Sequence, residues 1–158
     1  MELEFDVHVD ANALYDYMLR HTFTKAAGIL GTTAGALGIV AGMMLRYPIY
    51  VIFGAVVLLY QPVSLWLRAQ KQALLPVFKE PLHYKMTEEG VEVSQKETQQ
   101  FQKWEDMYRA VSTGKSLILY TDKIHASIFP RKDLGEKQTA VIAMISSHMD
   151  PGKVQIRS

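Results

Sequence analysis

The chain has 158 residues, with 17 Lys and Arg against 16 Asp and Glu and no cysteine. A net charge of +1 with no basic or acidic block offers nucleic acid no electrostatic footprint. The missing thiols exclude disulfides, thiol catalysis and cysteine-held metals.

Residues 2–9, ELEFDVHV, alternate strictly, with Leu3, Phe5, Val7 and Val9 on one face and Glu2, Glu4, Asp6 and His8 on the other. A period of two predicts a half-buried strand. A lone strand leaves its backbone unpaired, so it must dock on a sheet formed later in the chain. Asp10 is a fitting N-cap for a helix over about 12–24, with Leu14 and Met18 on its apolar side and Tyr15 and Tyr17 suited to headgroup depth. The acidic residues Glu2, Glu4, Asp6, Asp10 and Asp16 precede the first apolar run, which does not fit a signal peptide, and the N-terminus is expected to be kept.

Residues 26–67 carry one charge, Arg46, between 20 uncharged residues (26–45) and 21 more (47–67). About 20 apolar residues in a helix span the roughly 30 Å hydrocarbon layer, so this stretch reads as a transmembrane helical hairpin turned at Arg46-Tyr47-Pro48. In its first half Gly28, Gly31, Gly35, Gly38 and Gly42 recur at intervals of 3, 4, 3 and 4. That stripe predicts a close helix-packing seam, within the chain or between two copies. GTTAGALG lacks the Gly-Lys-Ser/Thr ending of a phosphate loop and follows no strand. Pro62 predicts a kink in the second half, with Gln61 and Ser64 beside it. Arg20, Lys25, Arg68 and Lys71 flank the outer ends, so the positive-inside rule places both termini in the cytoplasm.

After a connecting helix or linker (68–81), the period changes to two. Strands are predicted at 82–86, 91–93, 98–104, 107–113, 117–121 and 124–129, with turns at Glu88-Glu89-Gly90, Thr113-Gly114-Lys115 and Asp122-Lys123. Residues 136–149 place Val141, Met144, Ile145 and His148 at helical spacing, predicting one closing helix. The organisation is therefore 1–25, strand and amphipathic helix; 26–67, hairpin; 68–81, connection; 82–150, compact domain; 151–158, tail. The fold class is an α+β membrane protein.

Met86-Thr87-Glu88-Glu89-Gly90-Val91, Trp104-Glu105-Asp106-Met107, Leu117-Ile118-Leu119-Tyr120 and Ile128-Phe129-Pro130-Arg131-Lys132, set behind a membrane hairpin, resemble the YcxB-like family of small bacterial membrane proteins. The resemblance extends over essentially the whole chain. It implies a pleckstrin-homology-like C-terminal domain, an antiparallel sheet or barrel closed by a helix, and carries no catalytic residues with it.

Histidines 8, 21, 83, 125 and 148 lie on different elements without metal spacing, although a sheet would bring His83 and His125 together. Ser146, Ser147 and His148 lie together on one helix, where neighbouring side chains diverge, which argues against a nucleophile–base pair. Pleckstrin-like domains often bind phosphoinositides through a basic first hairpin turn; here that turn is acidic. Arg131, Lys132 and Lys137 are the one basic cluster of the domain and the candidate contact for lipid headgroups. Trp104 and Tyr108 are the candidate partner surface, against the plainer reading of a core tryptophan.

The expected function is a non-enzymatic, membrane-tethered binding module at the cytoplasmic face of a bacterial inner membrane. Its expected partners are the bilayer, a protein or peptide, and a second copy through the glycine seam. No cofactor is expected, and nucleic acid is not. Immunity to a peptide bacteriocin or toxin, and a small transporter-associated subunit, are the alternatives.

Overall fold

The computed structural model describes residues 2–157. Strand β1 (Leu3–Val7) leads to helix α1 (Ala11–Phe23), then to two long helices, α2 (Ala26–Leu45) and α3 (Pro48–Ala73), and a single turn, α4 (Pro76–Lys79). Asp10 starts α1 as expected, its Oδ1 accepting from the Ala13 N–H at 2.8 Å. Between α2 and α3 Arg46 takes a left-handed conformation (φ 57°) and its N–H returns to the carbonyls of the last turn of α2. Pro48 then opens α3, where its missing N–H has no helical partner to lose. The helix runs on through Pro62, and Ser64 Oγ donates to the Gln61 carbonyl at 2.9 Å. Both α2 and α3 are long and apolar enough to cross a membrane.

Strands β2 (Leu82–Met86), β3 (Gly90–Gln95) and β4 (Thr98–Lys103) follow as an antiparallel meander. β1 adds to its free edge, pairing Phe5 with Tyr84 and Val7 with Leu82. The orphan strand thus finds its sheet across the whole helical hairpin. A 3-10 turn at Trp104–Asp106 carries the chain to a second sheet of β5 (Arg109–Ser112), β6 (Ser116–Tyr120) and β7 (Ala126–Pro130). Helices α5 (Arg131–Leu134) and α6 (Gln138–His148) close the body, and β8 (Val154–Gln155) ends it.

One expectation changes. The sheets do not close into a barrel, because β8 pairs parallel with β5 and occupies the edge that β4 would need. The second apolar helix runs without a break to Ala73, because Arg68 and Lys71 are good helix formers and no breaker intervenes.

The main core lies between the two sheets and α6. Phe5, Tyr84 and Phe129 form an aromatic cluster with ring centroids 5.8, 5.4 and 4.8 Å apart, joined by Met86, Trp104 and Met144. A second core fastens the helices to this body. Val9, Ala13 and Leu14 from the N-terminal segment meet Ala69 of α3 and Ile128 of β7.

Candidate functional site

The glycine seam faces the neighbouring helix of the same chain. A Cβ on Gly35 would fall 2.8 Å from Leu58 and 3.1 Å from the Gly54 carbonyl oxygen, and one on Gly42 would fall 2.6 Å from the Val51 nitrogen. Gly38 lies over Gly54, Gly31 lies over the Gln61 side chain, and Gly28 packs on the backbone at the end of α1. Small residues at these positions let the backbones of α2 and α3 touch. Gln61 Oε1 is buried beside this seam and has no hydrogen-bond partner among the described residues.

Arg131, Lys132 and Lys137 do not form a free cationic patch. Lys132 Nζ lies 2.7 Å from Asp10 Oδ2, and Lys137 Nζ donates to the Glu4 carbonyl at 2.8 Å. Both lysines therefore clasp the N-terminal segment to the body. Arg131 donates from Nε to the Thr113 carbonyl (3.3 Å) and from Nη2 to the Arg157 carbonyl (3.0 Å). Of the three, it alone lines a large cavity with other arginines.

Trp104 and Tyr108 part company. Trp104 is 5 % exposed, its indole N–H donating to the Thr87 carbonyl at 2.8 Å, and it belongs to the main core. Tyr108 stands exposed beside the Arg109 guanidinium, which also lies 4.7 Å from the Tyr120 ring centroid.

His148 stacks on Trp104, and its Nε2 lies 2.8 Å from Glu88 Oε2. The Glu88 carboxylate and the Met144 carbonyl hold this imidazole above its ordinary pKa. Contrary to the expectation of divergence, Ser147 Oγ is 2.9 Å from His148 Nδ1, because the helix ends there. The same Nδ1 lies 2.9 Å from the Met144 carbonyl, to which Ser147 also donates. Nδ1 facing a carbonyl carries a proton and cannot accept one from the serine, so this is a helix-end hydrogen-bond set and not an activated nucleophile. His83 pairs with Asp6 and His125 with Asp122 instead of meeting one another. Among the described residues no three His, Cys, Asp or Glu side chains gather as a metal site.

An opening of about 720 Å³ lies where α1, the β5–β6 turn, α5 and the C-terminal strand converge. Arg20, Arg131 and Arg157 line it. Sequence reasoning did not join Arg20 and Arg157 to Arg131, since their meeting depends on β8 folding back along β5. No local pattern announces a two-residue strand.

Residues 87–145 match the family model described as YcxB-like protein. The match opens at the β2–β3 turn and closes within α6, so the likeness that the motifs suggested for the whole chain is found over this part and leaves out the helical hairpin and β1. No curated protein and no solved structure matches the chain.

Proposed function

We propose that this chain, YcxB-like over residues 87–145, is a non-enzymatic binding module tethered to a bacterial inner membrane by α2 and α3. The observation that carries the reading is the exposure of the two apolar helices. Only 17 % and 11 % of the residues in their most apolar stretches are buried. Leu30, Leu37, Met44, Phe53, Leu59 and Tyr60 all stand more than half exposed. A core helix of a soluble protein covers such side chains, whereas lipid is their natural solvent.

The pairing of β1 with β2 supports a common side for everything outside the hairpin, since the two strands flank it in sequence. The flanking cations support the cytoplasm as that side. We read the body as pleckstrin-homology-like, on the strength of its two antiparallel arrays, β1–β4 and β5–β7, with α6 against them. A body of this kind, held at the surface by an anchor with a tight turn, presents exposed side chains such as Phe101 and Tyr108 to a protein or peptide.

In-cell photo-crosslinking tests this. The full chain carrying a photoreactive residue at Phe101 or Tyr108 is expected to give a discrete adduct in intact cells, absent when the residue is placed at Glu136. No adduct from either site, together with substrate turnover by the purified chain, contradicts the proposal.

A further inference from the structure

Three arginines from distant parts of the sequence surround one opening. Arg20 belongs to the last turn of α1, Arg131 opens α5, and Arg157 follows β8. The arrangement is held in place by buried hydrogen bonds. Ser112, 7 % exposed, accepts from the Arg157 N–H at 2.7 Å and donates to its carbonyl at 3.3 Å. Arg131 grips that same carbonyl and the Thr113 carbonyl, which fixes the β5–β6 turn against the C-terminal strand. Among the described residues no carboxylate forms an ion pair with Arg20, Arg131 or Arg157. Asp16, one helical turn before Arg20, is engaged by the Thr113 hydroxyl.

Three like charges around a cavity, with Asp16 already engaged by Thr113, raise the local potential for an anion. Guanidinium groups present paired N–H donors that match two phosphate oxygens at once. We propose that this cavity binds the phosphate group of an anionic lipid headgroup. The proposal rests on the membrane reading above. Arg20 lies six residues before Ala26, where α2 begins, which sets the cavity at headgroup depth for a bilayer crossed by α2. A lipid phosphate and a free phosphate share this chemistry, and the experiment separates them.

The full chain in neutral detergent micelles, doped with either phosphatidylglycerol or phosphatidylcholine, is examined by native mass spectrometry for retained lipid. The wild type is expected to retain phosphatidylglycerol in preference. Arg20→Gln and Arg157→Gln are each expected to lower that preference about fivefold, the effect of one basic side chain near an anionic surface. Lys103→Gln, an exposed lysine away from the cavity, is expected to leave it unchanged. Equal retention of both lipids by the wild type, or a preference that survives the double substitution, overturns the proposal. Saturable binding of inorganic phosphate without any lipid preference overturns the lipid assignment in favour of a soluble phosphate compound. Failure of the membrane reading is distinct, because the chain would then remain in solution without detergent.

Discussion

Phe5 and Phe129 meet edge to face, their ring centroids 5.4 Å apart, although one precedes the helical hairpin and the other lies in the second sheet. Phe129 has no exposure and Phe5 only 4 %, so the first strand is part of the central core and not an appendage. Phe5→Ala is therefore expected to cost about 3–5 kcal/mol, the usual loss for a buried ring, as large as the loss for Phe129→Ala. Thermal melts of the full chain in detergent check this. A Phe5→Ala melt matching the wild type within a degree would show β1 to be dispensable.

The His148–Glu88 pair sets a pH dependence whose sign is fixed. Glu88, and then the Met144 carbonyl, raise the folded-state pKa of His148 above the unfolded value of about 6.5. Its contribution is complete below that unfolded value and is lost as pH rises through the folded one. The stability that this pair supplies is expected to fall as pH rises from about 6.5 through the folded-state pKa of His148, and Glu88→Gln to flatten that fall in melting temperature. An NMR titration of His148 with a midpoint at or below 6.5 would contradict it.

The helical hairpin distinguishes two glycines that look alike in sequence. A Cβ on Gly54 would lie 2.5 Å from the Gly35 carbonyl oxygen and 2.8 Å from the Ile39 nitrogen, both backbone atoms that cannot swing away. On Gly38 its nearest neighbour would be 3.4 Å off, an ordinary contact. Gly54→Ala should force α2 and α3 apart and cost about 1–3 kcal/mol, while Gly38→Ala should be near neutral. Thermal unfolding in micelles, followed by helix content, ranks the two variants.

Ser112 fastens the returning C-terminal strand, so Ser112→Ala should cost about 1 kcal/mol, the worth of a buried hydrogen bond. The more telling readout is hydrogen exchange at the Arg157 amide, which is protected only while Ser112 accepts from it. Unchanged protection in the variant would show that β8 is held by its pairing with β5 alone.

The helical hairpin, the edge strand, the meander and the closing helix were legible because each rests on a period that the residues display directly. Leu3, Phe5, Val7 and Val9 announce a strand, and Ala26–Leu45 announces an apolar helix. A lone charge between two apolar runs marks the turn at Arg46-Tyr47-Pro48, but nothing in the residues announces the left-handed conformation that Arg46 takes there. What the sequence hid was long-range. Lys132 and Lys137 look like a basic cluster, but Asp10 and the Glu4 carbonyl engage them from more than a hundred residues away. Arg20 and Arg157 look unrelated, and a two-residue strand with a single buried serine brings them to the same cavity. The short β8 has too few residues to show a period, so neither its pairing nor the open form of the sheets could be read beforehand.

The central claim is that lipid surrounds α2 and α3. Membranes from cells expressing the full chain, washed with alkaline carbonate and sedimented without detergent, test it most directly. The account predicts that the protein stays with the lipid pellet and is released by detergent alone; recovery of folded protein in the carbonate supernatant would contradict it.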